Sequence, residues 1–188
     1  MSMKKIILTG ISLFFLVSCW TAKIELTNDT VNDSYKISDR SINLSNKNLD
    51  YYVNLNNYMT GTEVNNIYLN NNNIEIININ KYDKLWTLDI SNNNIRFISD
   101  LNLPLTIRHL NLSNNNLTNL QGLDKYTKLK TLDLSYNNLE ESDIVIKGLD
   151  DLKYINIEWN NISTVWLDKI NDFNRVYLSN NKIPFENK

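Results

Sequence analysis

One phrase recurs six times between residues 64 and 183: a hydrophobic residue, two variable ones, then hydrophobic-x-hydrophobic-x-x-Asn-x-hydrophobic. The copies read VNNIYLNNNNI from Val64, LWTLDISNNNI from Leu85, IRHLNLSNNNL from Ile107, LKTLDLSYNNL from Leu129, LKYINIEWNNI from Leu152 and FNRVYLSNNKI from Phe173. Their asparagines, Asn72, Asn93, Asn115, Asn137, Asn160 and Asn181, are spaced 21, 22, 22, 23 and 21 residues apart. Self-similarity at this period means one small unit stacked on copies of itself, and it excludes most folds built around a single closed core.

Each apolar position in the phrase has a separate task. Leu88-x-Ile90 alternates with period two, which predicts a short strand with one buried face. On the path back to the next copy, apolar residues recur about every third position, most clearly at Leu117, Leu120, Leu123, Tyr126 and Leu129. That period suits short 3₁₀ turns and irregular chain better than a long α-helix. A single coil cannot bury its own apolar face, so neighbours must stack and share one interior.

The phrase resembles the leucine-rich repeat, L-x-x-L-x-L-x-x-N-x-L. The resemblance predicts a leucine-rich repeat solenoid, with a curved parallel β-sheet on the concave face and short 3₁₀ or irregular segments on the convex face. In that family the asparagine turns inward and hydrogen-bonds backbone groups of the loop after the strand. The implied ladder here is Asn72, Asn93, Asn115, Asn137, Asn160 and Asn181. A weaker seventh copy, SINLSNKNL, keeps Ile42, Leu44 and Leu49 in phase, but Lys47 replaces the ladder asparagine and Asp39 the first leucine. Residues 35–63 are therefore predicted to be an N-terminal capping repeat, with Tyr51, Tyr52, Val53, Leu55, Tyr58 and Met59 on its convex side. Residues 64–188 are predicted to hold six repeats and a minimal C-terminal cap, with Phe185 folded over the last coil.

Residues 1–18 read as a separate unit. Lys4 and Lys5 precede the apolar run IILTGISLFFLV, which is too short for a membrane span of about 20 residues and suits a signal-peptide core. It ends in LVSC at residues 16–19, which resembles the lipobox of bacterial lipoproteins. In that family the chain is cut before the cysteine, whose thiol then carries a diacylglycerol. The resemblance implies that Cys19 is lipidated and holds the protein to a membrane. Buried acyl chains contribute about 0.8 kcal/mol per CH₂, so two or three of them anchor firmly. The polar stretch 19–34 is expected to be a flexible tether. Removing Lys4 and Lys5 moves the formal charge from −2 to −4, and no basic cluster stands out, so nucleic acid is not an expected partner.

Catalysis needs a constellation, and the chain offers one histidine and one cysteine, the cysteine being the expected lipid carrier. No metal, cofactor or enzymatic activity is expected. His109 falls at an exposed strand position, and Glu140, Glu141 and Asp143 read as a solvated face rather than a calcium site.

Recognition is expected on the concave face, where parallel strands bring equivalent side chains to about 4.8 Å. One column reads Asn66, Thr87, His109, Thr131, Tyr154, Arg175, and the next Tyr68, Asp89, Asn111, Asp133, Asn156, Tyr177. Aromatic and charged residues gather in the last three repeats, where Tyr136, Tyr154, Glu158, Trp159, Arg175 and Tyr177 form the candidate partner-binding patch. Trp86 and Arg108 are secondary candidates, and Trp166, beside Val165 and Leu167, reads as packing. The repeats resemble the bacterial 22-residue class of internalins, most closely in LTNLQGLDKYTKLKTLDLSYNNL from Leu117. Internalin-like proteins are displayed at bacterial surfaces and bind host proteins through the concave face. The resemblance implies a lipid-anchored envelope protein that binds a protein partner, with the lipid in place of the internalins' wall-sorting tail. Glycan binding and self-association within the envelope are the alternatives.

Overall fold

The computed structural model describes residues 7–8, 11–12, 23–25, 37–38, 40–57, 63–140, 144–168 and 172–184. Its organising element is one sheet in which seven short strands run parallel, Ser41–Asn43, Asn66–Tyr68, Thr87–Asp89, His109–Asn111, Thr131–Asp133, Tyr154–Asn156 and Arg175–Tyr177. Register is uniform from end to end. Ile42, Ile67, Leu88, Leu110, Leu132, Ile155 and Val176 stand opposite one another, flanked by the two variable columns. The middle residue points inward and its neighbours outward, as the pleat requires. The chain is thus a parallel-strand solenoid with very little helix, in which the weak copy from Ser41 joins in register with the rest.

The interior is a continuous apolar column. It runs from Ile42 and Leu44 through Leu88, Leu110 and Leu132 to Ile155 and Ile162, all fully or almost fully buried. Two tyrosines belong to it. Tyr126 donates its hydroxyl to the Leu101 carbonyl at 2.8 Å, and Tyr82 donates to that of Leu55 at 2.9 Å. Each thereby satisfies a carbonyl of the preceding coil that would otherwise be buried and unpaired. Burial pushes the Tyr126 phenol up to about 12. A phenol that ionises later in the folded state than in the unfolded one stabilises the fold fully below pH 10 and loses that contribution as pH rises toward 12. Tyr126→Phe is expected to lose roughly 1–2 kcal/mol at neutral pH, because the Leu101 carbonyl loses its donor. It should also show a shallower loss of thermal midpoint than the wild type above pH 10, which calorimetry across that range would measure.

Several features depart from the sequence expectation. The convex face holds more strand than a three-residue period predicts. Asp50–Asn54, Asn73–Asn78 and Leu101–Asn102 form a second parallel sheet, and Ile144–Ile146 pairs with Val165–Leu167. Ile98–Asp100 is a 3₁₀ turn. The cause is local: β-branched residues, as in NIEIIN, favour extended backbone. Trp166 is 63% exposed instead of packed, because strand alternation turns Val165 and Leu167 toward the core and Trp166 away from it.

The N-terminal end also differs. Ile37–Ser38 folds back antiparallel onto Ser41–Asn43 and occupies the first edge of the concave sheet. Lys23–Glu25, within the stretch read as a tether, pairs in parallel with Asp50–Asn54. An open strand edge carries unpaired amide and carbonyl groups, and an upstream extended segment satisfies them. In the 1–18 segment, Ile7–Leu8 pairs antiparallel with Ile11–Ser12. Cys19, Tyr58, Met59, Glu141, Asp143 and Phe185 lie outside the described residues. Among those described, no helix is long and apolar enough to cross a membrane.

Candidate recognition surface

The ladder asparagines hold the rim of this surface in place. Asn115 shares its two amide hydrogens among the carbonyls of Ile90, Leu112 and Ser113 at 3.0, 3.1 and 3.2 Å, and its Oδ1 accepts the Ile95 amide at 3.0 Å. Asn93, Asn137, Asn160 and Asn181 repeat the pattern. Asn72 does the same toward the first coil, accepting from Lys47 and Leu49 and donating to Leu44. Every ladder side chain reaches its own loop and the coil before it. In the coil before Asn72 the ladder position is Lys47, whose backbone amide Asn72 holds.

This bonding imposes a backbone demand that the repeat phrase does not reveal. The residue before each ladder position adopts the left-handed conformation, at Asn46, Asn71, Asn92, Asn114, Tyr136, Trp159 and Asn180, with φ between 52° and 58°. Asparagine tolerates that region and bulky residues do not, so Tyr136 and Trp159 are the exceptions. Both are about half exposed, and their rings stack with centroids 5.4 Å apart and planes 11° from parallel.

A second aromatic pair stands on the strands. Tyr154 and Tyr177 are diagonal neighbours on adjacent strands, with centroids 5.5 Å apart and rings tilted by 55°. Arg175 lies directly across from Tyr154, and Glu158 follows it in the same coil. Burial raises the Tyr154 phenol above its usual range, helped by the negative charge of Asp133 and Glu158, while Arg175 opposes the shift. The six candidate residues therefore fall into two groups. Tyr136 and Trp159 lie on the loop rim; Tyr154, Tyr177, Arg175 and Glu158 lie around the strand pair.

Other concave side chains serve the fold. The Oδ1 atoms of Asp89 and Asp133 accept both the amide and the hydroxyl of Ser91 and Ser135, and Asn111 does so with Ser113. These bonds close the turn after each strand and leave those side chains less free than their positions imply. His109 meets the Thr131 hydroxyl through Nδ1 at 2.9 Å, and burial holds its pKa below the usual value, with Lys130 and Arg108 adding to the effect. Between Tyr68 and Tyr154 the ribbon forms an open depression of about 220 Å³. Among the described residues, no cluster of three or more His, Cys, Asp and Glu could hold a metal ion.

Residues 105–146 match the family model described as leucine-rich repeats (2 copies). The coils within residues 105–146 are leucine-rich repeats. Leucine-rich repeats generally serve as protein-interaction modules, and their curvature creates extended concave surfaces suited to that use. Among solved structures, the leucine-rich repeat domain of APL1B is 18% identical over 72% of this chain, with a TM-score of 0.47. The leucine-rich repeat domain of APL1 is 17% identical over 70% of the chain, with a TM-score of 0.33. The chain spans 56% of the length of each. No curated protein matches the chain.

Proposed function

We propose that this leucine-rich repeat protein binds a protein partner through the last three coils of its concave ribbon, with Tyr136, Trp159, Tyr154 and Tyr177 as anchors and Arg175 and Glu158 as charged contacts. One observation carries the reading. Tyr136 and Trp159 occupy left-handed backbone positions that five other coils give to asparagine, and they are half exposed there. Holding a bulky residue in that region costs on the order of 1–2 kcal/mol per site, and the exposed half of each ring contributes nothing to offset it by burial. Strain maintained at an accessible aromatic pair points to use by a ligand. Tyrosine, tryptophan and arginine are also the side chains that dominate protein interfaces.

The finer reading places the protein on a bacterial envelope. LVSC directly after the apolar run supports lipidation of Cys19, and the 22-residue repeats support an internalin-like protein whose partner is a host protein. Protease shaving of intact cells with mass spectrometry of Cys19 tests anchor and display together. An unmodified cysteine rejects the anchor.

For the patch, partners captured from host-cell and bacterial extracts by the full chain would be titrated against the wild type and Trp159→Ala/Tyr177→Ala. The variant is expected to lose binding by at least about 100-fold, the scale of two hot-spot truncations, with its thermal midpoint nearly unchanged. Equal affinity for both proteins rules the patch out. Self-association is a second reading, favoured by the last coil, where Phe173, Val176 and Leu178 are only partly buried. Monomer alone by light scattering at high concentration removes it.

A further inference from the structure

The residue just ahead of each concave strand forms a lateral column of its own, and its chemistry is not random. In coil order it reads Arg40, Asn65, Trp86, Arg108, Lys130, Lys153 and Asn174. Backbone bonds tie these residues together: each amide from Asn65 onward donates to the carbonyl of the preceding member, at 2.7–2.9 Å. Three cations therefore stand on successive coils, about 4.8 Å apart at the backbone. Like charges set side by side across strands repel and weaken the sheet.

The chain neutralises one member of this column and leaves the three others. Glu63 pairs with Arg40 at 3.2 Å and with Lys84 at 3.1 Å. Among the described residues, Arg108, Lys130 and Lys153 take part in no ion pair. Arg108 instead lies over the Trp86 ring, 4.7 Å from its centroid, which holds the guanidinium without cancelling its charge. The field of the two middle cations reaches into the concave ribbon, since both help hold the His109 pKa down, after burial.

We propose that Arg108, Lys130 and Lys153, backed by Trp86, form a basic rail that holds an acidic segment of the protein partner laid across the coils. The inference rests on the reading of the concave ribbon as a protein-binding surface and names the partner's chemistry along one edge of it. An extended segment with acidic residues at alternate positions presents carboxylates about 7 Å apart on one side, within reach of flexible lysine side chains. A uniform polyanion fits less well. Two and three columns inward it meets Asp89, Asp133 and Glu158, and the whole chain carries a net charge of −2. A polypeptide turns carboxylates to the rail and neutral or aromatic groups to the ribbon.

The test uses the full chain and a labelled peptide of alternating Glu and Ser, with a Gln/Ser peptide as control, followed by fluorescence anisotropy at low and high salt. The wild type is expected to bind the acidic peptide and not the control, more weakly at high salt. Lys130→Gln/Lys153→Gln should weaken binding about 10-fold at low salt, the sum of two exposed charge contacts. Lys130→Arg/Lys153→Arg should retain it. Undiminished peptide binding by the glutamine variant overturns the rail, as does absence of binding by the wild type. So does equal or tighter binding of oligothymidylate or phosphatidylglycerol vesicles. A captured partner lost by Trp159→Ala/Tyr177→Ala but held fully by Lys130→Gln/Lys153→Gln removes the rail and leaves the proposed function standing.

Discussion

Asn115→Ala is expected to destabilise the solenoid by about 3–5 kcal/mol, a large share of the roughly 5–15 kcal/mol that holds a domain folded. The truncation takes the acceptor from the Ile95 amide and one of two donors from three carbonyls, at a residue only 6% exposed; Ile90 keeps Asn93, Leu112 keeps Asn137 and Ser113 keeps the Asn92 amide. The orphaned Ile95 amide costs about 1–3 kcal/mol, and each bond lost by a carbonyl that keeps its second donor costs about 0.5–1.5 kcal/mol. Asn115→Asp should fare no better, since it keeps the acceptor and loses both hydrogens. Asn181→Ala makes the internal comparison. Its side chain forms the same bonds in the last coil but is only partly buried, so water can replace them, and a loss of about 1 kcal/mol is expected. Urea unfolding followed by circular dichroism measures both. A loss below about 1 kcal/mol at Asn115 would show that the ladder side chains do not hold neighbouring coils together.

Tyr136→Asn/Trp159→Asn should move stability and binding in opposite directions. Asparagine suits a φ of 53° or 55°, as five other coils show, so each substitution should recover about 1 kcal/mol of backbone strain. Loss of the ring stack gives back about 0.5–1.5 kcal/mol. The balance is a gain of roughly 1 kcal/mol, or about 2–4 °C in thermal midpoint for a chain of this size. Partner affinity should fall by about 100-fold or more. The sign of the thermal shift is the informative part. If the midpoint drops by several degrees, the stacked pair serves the rim of the coils, and the strain argument for a binding role fails. A rise with loss of binding is the pattern of a functional residue kept against the interest of the fold.

Much of the architecture was legible from phase alone. The concave columns beginning at Asn66 and Tyr68 pair residue for residue as the repeat phrase aligns them, and the weak copy from Ser41 joins without an offset. Phase is enough here because coils of nearly equal length can stack in only one register without turning apolar residues outward. The candidate patch was legible in part. The diagonal nearness of Tyr154 and Tyr177 follows from strand register, but the Tyr136–Trp159 stack depends on ring orientation in two loops, which spacing does not encode. Trp166 was misread because a three-residue period was carried into a segment that is a strand, where its parity points outward.

Composition and period established the stacked coils, their shared interior and the inward asparagines, because these follow from which residues are apolar and how often they return. Folding in three dimensions decided the rest. Left-handed backbone at Tyr136 and Trp159 arises from closing each loop over a ladder asparagine. The row of charges at Arg108, Lys130 and Lys153, without ion pairs among the described residues, emerges only when coils separated by about twenty residues lie side by side. Strain and unpaired charge are relations between neighbours in space, and a linear pattern records only what each residue is.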